Sequence, residues 1–231
     1  MLTANKFDFG RWEDLLPSLD DNSFDLIYTD PPYGMGYLSQ IPGHEQWCKS
    51  GISKSKFTKK LLNDTQDGVA WQDFAVHSFR LLKNDRFLFL HCNLEVIYRH
   101  VRHFEDAGFN IKGQIVWDKS FSIGGDLKAA MKRDWEPIIY MTKGKPEFNP
   151  IEVMRGKGKK QQLELRKRIS EIDDWCFQLL DKEKLGFPTQ KPMALCTQVI
   201  LLSTKLDDWV LDPFTGSGTI PVAAKAAGRR F

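Results

Sequence analysis

Short apolar, β-rich runs alternating with amphipathic helical patterns constrain this chain more than any other feature. The runs are "FDLIYT" (24–29), "RFLFLHC" (86–92), "IKGQIVW" (111–117), "EPIIYMT" (136–142) and "DWVLD" (208–212). Between them, "WQDFAVHSFRLL" (71–82) and "LEVIYRHVRHFEDAG" (94–108) repeat apolar residues at i, i+3 and i+4, and the second stops at a glycine. "PMALCTQVILLSTK" (192–205) opens with proline at a first-turn position. Strands alternating with helices predict an α/β fold, a Rossmann-like, mostly parallel sheet with helices on both faces. At 231 residues the chain is expected to form one domain (1–231) around that sheet.

Two stretches break the rhythm. Residues 34–68 are polar, with Lys49, Lys54, Lys56, Lys59 and Lys60 crowded together, and read as a mobile loop insertion. Residues 148–187 read as a second, small insertion. They hold the basic block "RGKGKKQQLELRKR" (155–168) and the amphipathic piece "LELRKRISEIDDWCFQLL", which suits a helix. A basic run taken alone is a solvated face, but two runs in a chain of net charge +3 favour contact with phosphates.

The composition, 42% hydrophobic and 27% charged, is that of a soluble globular protein. No apolar run approaches the ~18–20 residues of a membrane span, and "MLTANKFDFGRWEDLL" lacks the pattern of a signal peptide. Cys48, Cys92, Cys176 and Cys196 are scattered without a CxxC pair. They read as reduced thiols of a cytoplasmic protein, with no zinc site and no other metal centre expected.

Chemistry concentrates in two turns. "DPPY" (30–33) leaves the "FDLIYT" run through an acid and two prolines, where Gly, Asn or Ser would turn more easily. Pro31 and Pro32 fix φ twice and stiffen a segment carrying a carboxylate, free carbonyls and the Tyr33 ring. "DPFTGSGT" (212–219) leaves the last run through a glycine loop into an alanine-rich helix. Gly216 and Gly218 allow close backbone approach to a ligand, and the helix start offers unpaired N–H groups. Pro221 stands where a dinucleotide fingerprint needs its third glycine, and the Gly-Lys-Ser/Thr of a phosphate loop is absent. The loop therefore suits a ligand with a carboxylate and a small-molecule body. Both turns follow strands, and open α/β sheets bind ligands beyond the carboxyl ends of their strands. If the two strands are neighbours, about 4.8 Å apart, the turns share one crevice.

Together these strings resemble the β group of DNA amino-methyltransferases, which modify adenine N6 or cytosine N4 using S-adenosylmethionine. DPPY resembles the catalytic motif and DPFTGSGT the cofactor motif, in the β-group order; "FPTQKP" (187–192) resembles a third element. "IVWDK" (115–119) and "WEPIIYMTKGK" (135–145) resemble framework segments. The resemblance covers most of the chain outside the two insertions. Protein-glutamine methyltransferases carry a related turn, but with Asn and after the glycine loop.

The resemblance implies roles. Asp30 and the Pro31 carbonyl would each accept one N–H of the target amine, turning its lone pair towards the sulfonium methyl, while Pro32 stiffens the turn. Tyr33 would stack on a base flipped out of double-stranded DNA. Asp212, Pro213, Phe214, Gly216, Ser217, Gly218 and Thr219 would wrap S-adenosylmethionine, with Thr189 and Lys191 at its polar end, the lysine on its carboxylate. Read singly, DPPY is a rigid turn, the glycines serve helix packing and Lys191 is a solvated side chain; their order in one chain weighs against that. His91 reads as a hydrogen-bonded core residue, Trp117 and Trp135 as packing.

Two departures stand out. Arg11 occupies the place where family members often have the Asp of a Gly-Asp pair, with Asp8 nearby. The sequence given also stops at Phe231, where the resemblance places a further strand ending in a ribose-binding acid. Only the roughly 40 residues of 148–187, well below an ordinary domain, are available for target reading, which is expected to be shared among loops or helped by a second subunit. Weak or short-site specificity follows. An adenine-N6 methyltransferase is the leading expectation, since an acid rather than serine precedes Pro-Pro-Tyr. Cytosine-N4 methylation is the nearest alternative, and a non-catalytic DNA-binding or specificity subunit the alternative from another class. By resemblance alone, a homodimer or a second methyltransferase subunit is a further partner.

Overall fold

A computed structural model describes residues 3–33, 69–119, 135–155, 162–166, 175, 177, 179–185 and 189–231. The 34–68 insertion, the first basic cluster included, lies outside the described residues, as does much of 148–187.

After the short helix α1 (Trp12–Leu15), strand β1 (Phe24–Thr29) coincides with the apolar run and is buried along its whole length. Helix α2 (Trp71–Leu81) passes directly into β2 (Leu82–His91). Helix α3 (Leu94–Ala107) starts where the Asn93 side chain accepts the Val96 N–H at 2.8 Å and ends at Gly108. Then follow β3 (Asn110–Asp118), β4 (Trp135–Lys143) and a separate hairpin of β5 (Ile151–Arg155) and β6 (Gln162–Arg166). Helix α4 (Met193–Ser203), strand β7 (Val210–Leu211) and helix α5 (Thr219–Ala226) complete the body. Pro192 sits at the N-cap of α4, one position earlier than expected. "LELR" of the amphipathic piece is strand β6 rather than helix; it pairs antiparallel with β5, which satisfies its backbone across strands instead of along a helix.

Five strands form one sheet in the order β3-β4-β2-β1-β7. Strand β1 pairs parallel with both β2 and β7, whereas β4 runs antiparallel to both β2 and β3. The sheet is α/β as expected, with its pairings divided evenly between the two senses. Successive side chains of a strand point to opposite faces, and helices cover both. Ile27, Leu88, Leu90, Ile139 and Met141 meet Trp71, Phe74, Val96 and Phe104 on the α2–α3 side. Leu26, Tyr28, Phe87, Phe89 and Ile138 meet Leu195, Val199, Ile200 and Ala223 on the α4–α5 side.

The 148–187 stretch leaves the body later than its sequence limit. The Phe148 ring stacks on Phe87 at 4.3 Å, and the Asn149 side chain donates to the carbonyls of Leu201 and Thr204. At the far side of the stretch, Trp175 and Phe177 exchange backbone bonds with Asp118. Beyond α5, Arg230 pairs in parallel with Trp209, next to β7. No described helix is long and apolar enough to cross a membrane.

Candidate active site

The two turns identified in the sequence meet. Register pairs Leu26 with Val210 and Ile27 with Leu211, so β1 and β7 end side by side. Across that junction the Thr29 hydroxyl donates to Asp212 Oδ1 at 2.7 Å. A cleft at the carboxyl edge is lined by Asp30, Thr189, Lys191, Asp212, Phe214 and Thr215, together with Gly216, Ser217, Thr219 and Ile220. Acceptor turn, glycine loop and the TQK segment thus face one space.

The glycine loop is tightly tied. Asp212 Oδ1 accepts the Phe214 N–H at 3.2 Å, the Thr215 hydroxyl donates to the Asp212 carbonyl, and the Gly218 N–H closes on the Thr215 carbonyl at 2.8 Å. Gly216 and Gly218 lie at φ of 53° and 80°, left-handed conformations that only glycine adopts readily, and Gly218 caps α5. Ser217 and Thr219 share a hydroxyl bond of 2.9 Å. The Phe214 ring turns inward against Phe74 at 5.3 Å, anchoring the loop to the α2 side of the core. Asp212 is half-buried as a residue, yet its Oδ2 is sealed from solvent and has no hydrogen-bond partner. Burial pushes its carboxyl up to about 7, against the opposing pull of Thr29 and the Phe214 N–H.

Both oxygens of Asp30 are occupied. The Tyr33 hydroxyl donates to Oδ1 at 2.6 Å, and Lys191 Nζ sits 2.8 Å from Oδ2. Lys191 is the buried counter-ion of Asp30 and, at 3.0 Å, of Glu136. It comes from the segment just before α4 and lies 5.7 Å from the Trp117 ring centroid. Burial alone would lower its pKa, but the two carboxylates raise it above the ordinary lysine value. Tyr33 is turned in towards the carboxylates, and burial followed by the Asp30 charge raises its hydroxyl well above the ordinary range. Pro31 is buried and Pro32 half-buried within the same turn.

Sequence reasoning missed Glu136, which opens β4. Because β4 is antiparallel, its start lies at the carboxyl edge of β1 and β2, level with Trp117 of β3. Glu136 Oε1 receives His91 Nδ1 at 2.9 Å, Tyr33 at 3.1 Å and Lys191, while Oε2 receives Lys119 Nζ at 2.7 Å. Burial works to raise its pKa, yet Lys191, His91 and Lys119 hold it well below the usual carboxylate range. His91, fully buried, is the hydrogen-bonded core residue expected from sequence, and it also braces the site. Burial, with Lys191 nearby, depresses its pKa, so the ring is neutral. Glu136 is an acceptor, so Nδ1 carries the proton and Nε2 accepts the Tyr28 hydroxyl at 2.9 Å. The missed signal was an ionisable residue set in the apolar run "EPIIYM", where a charge is buried only with partners.

Asp30, His91 and Glu136 offer ligand atoms within 4.8 Å of one another, but Lys191 already supplies the cation among them. Trp117 is buried and donates its indole N–H to the Phe177 carbonyl, a packing role as expected. Asp8 pairs with Lys6 and Arg11 with Glu13, both exposed, and neither lines the cleft.

A family profile described as DNA methylase, of the N6 and N4 type, matches residues 24–231. Type II methyltransferase M2.DpnII of Streptococcus pneumoniae is 29% identical over 232 residues, covering 94% of this chain and 79% of that protein. M2.LlaDCHI of Lactococcus lactis subsp. cremoris is 30% identical over 226 residues, with coverage of 94% and 79%. Among solved structures, the cytosine-N4-specific PvuII DNA methyltransferase superimposes with a TM-score of 0.65 at 17% identity, covering 95% of this chain and 77% of that one. The M1.HpyAVI–SAM complex gives 0.57 at 22% identity, covering 95% and 85%. At these identities the structural likeness concerns the fold.

Proposed function

The chain belongs to the N6/N4 DNA methylase family, and on that premise we propose that it is an adenine-N6 DNA methyltransferase using S-adenosylmethionine on a flipped-out adenine in double-stranded DNA. One observation carries the reading: the acid-bearing turn and the glycine loop face one cleft, stitched together by Thr29 and Asp212.

The loop fits the cofactor. Asp212 Oδ2 is a buried acceptor lacking a donor, a place for an ammonium group, and the left-handed glycines give the loop the turn that lines the cleft. Asp212, Pro213, Phe214, Gly216, Ser217, Gly218 and Thr219 would hold it, with Thr189 at the mouth; bound there, it supplies an electrophilic methyl group on a sulfonium. Lys191, committed to Asp30 and Glu136, belongs to the acceptor half of the site.

On the acceptor side, Asp30 and the Pro31 carbonyl take the two N–H bonds of the exocyclic amine. For this Asp30 Oδ1 must be released by Tyr33, whose ring then turns to the base; Lys191 keeps Oδ2 in place. So held, the amine would present its lone pair to the methyl group that a cofactor in the glycine loop would supply, with the thioether as leaving group. The resulting ammonium sits against the Asp30 carboxylate and loses its proton to that carboxylate or to water. Fixed negative charge where positive charge develops stabilises the transition state.

Asp30, an acid before Pro-Pro-Tyr, favours adenine. The fold likeness to a cytosine-N4 enzyme keeps N4 methylation as the second reading. DNA methylated with labelled S-adenosylmethionine and digested to nucleosides decides between them. N6-methyladenine is expected; N4-methylcytosine selects the second reading, and an unmethylated product pool overturns both.

A further inference from the structure

The acceptor half of the cleft contains more buried charge than two N–H acceptors need. Asp30, Glu136 and Lys191 form a bent triad in which Lys191 Nζ is 2.8 Å from one carboxylate and 3.0 Å from the other. All three side chains are shielded, at 18%, 11% and 8% exposure. Glu136 is immobilised at both oxygens, by neutral His91 on one side and Lys119 on the other. His91 is fixed in turn by Tyr28, which is wholly buried in β1. This bracing restrains the triad to one geometry, and maintaining a merely structural ion pair would not require it.

Charge arithmetic gives the arrangement a purpose. Within the triad one cation faces two carboxylates; Lys119, 2.7 Å from Glu136 Oε2, brings the whole cluster to zero, so Glu136 offsets one full positive charge beside Asp30. If Lys191 faced Asp30 alone, the pair would be neutral where the target nitrogen becomes cationic. Glu136 draws the ammonium partly onto itself, so the Asp30 carboxylate retains negative character towards the incoming amine. It also holds Lys191 on the Oδ2 side, so that Oδ1 is open to an N–H once the Tyr33 hydroxyl releases it.

We propose that Glu136 is a positioning residue for methyl transfer: by sharing Lys191 with Asp30 it keeps the acceptor site free of net positive charge and holds Lys191 away from Asp30 Oδ1, the oxygen for the target amine. The inference rests on the methyltransferase reading above.

Single-turnover methylation, cofactor affinity by calorimetry and thermal melting test it on the wild-type chain and three variants. A wild-type chain that methylates no base removes the functional reading itself; the inference is judged on an active wild type. E136Q keeps the shape, leaves one uncompensated positive charge beside Asp30 and lowers the transfer rate about 100-fold, a size typical of a lost electrostatic contribution. Its cofactor affinity stays within about twofold, since the loss lies in the transition state. E136D, with charge kept and reach shortened, falls between wild type and E136Q. In E136Q/K191M the loss of one cation offsets the loss of one carboxylate and restores the wild-type charge balance, and the rate rises about tenfold above that of E136Q. That recovery on removing a second buried group is what a structural role would not produce. Transfer by E136Q at the wild-type rate, a double variant no faster than E136Q, or a loss that follows cofactor affinity each overturns the proposal. Should E136Q fail to fold, E136D decides: a loss confined to rate supports the proposal, and an unchanged rate or weakened cofactor binding overturns it.

Discussion

Thr29 and Asp212 are 183 positions apart, yet their side chains share a 2.7 Å hydrogen bond at the ends of adjacent parallel strands. That bond joins the acceptor turn to the cofactor loop. Thr29→Val retains the shape and removes the donor, leaving the Phe214 N–H on Asp212 Oδ1. Stability is expected to fall by about 1–2 kcal/mol, with weaker cofactor binding. Urea denaturation and calorimetry measure the two; unchanged values in both would show that the bond is incidental.

Asp212 also sets a pH dependence. Its folded-state carboxyl, raised by burial to about 7, holds a proton between pH 4 and 7 that the unfolded chain has released. The native state therefore binds more protons in that window, and its stability falls as pH rises through it. A cofactor ammonium on Oδ2 reverses the preference, so affinity should climb between pH 6 and 8. Asp212→Asn should flatten that climb and raise the apo melting temperature at pH 8 by a few degrees, on the order of 1–2 kcal/mol. Calorimetric titrations at both pH values, with melting curves of the variant, check this.

Asp30→Ala removes the amine acceptor while Lys191 keeps Glu136. Methylation should drop by at least about 1000-fold, with cofactor affinity little changed. Turnover near the wild-type rate in a folded Asp30→Ala protein would remove Asp30 from the chemistry.

Asp25, at the opposite end of β1, provides the contrast. It is buried and binds Lys83 at 2.8 Å, Arg86 at 3.1 Å and the Trp209 N–H at 3.0 Å. Asp25→Ala strands that N–H and should cost about 2–3 kcal/mol of stability. Single-turnover rates below the melting transition should match wild type; a slowed chemical step would link this end of the sheet to the site.

Target choice is the remaining expectation. With few residues for target reading, plasmids of varied sequence should each be methylated at many short sites. Methylation confined to one long sequence would refute weak specificity.

DPPY, the glycine loop and TQK were legible because each is a local string whose backbone geometry depends on its own prolines and glycines. The same holds for α2 and α3, whose apolar periods match their burial, for β1, an apolar run buried along its length, and for the alanine-rich α5. Hairpin residues 163–166 were read as part of a helix because "LELR" is amphipathic at either period; cross-strand pairing with β5 decided the matter. Lys191 was recognised as part of the site, but its partner was not, since a lysine pairs with whichever carboxylates the fold brings within reach.

By itself the sequence determined an α/β chain with an acid-proline turn after one strand and a glycine turn after another, because dihedral preference and hydrophobic period act over a few residues. Only the tertiary structure decided that β1 and β7 are neighbours, and that β4 runs antiparallel and so delivers Glu136 to the carboxyl edge. A strand's direction in a sheet decides which of its ends meets the site, and that of β4 is set by pairing with β2 and β3, outside the segment that carries Glu136. The buried triad of Asp30, Lys191 and Glu136 exists for this reason, and no string of adjacent residues contains it.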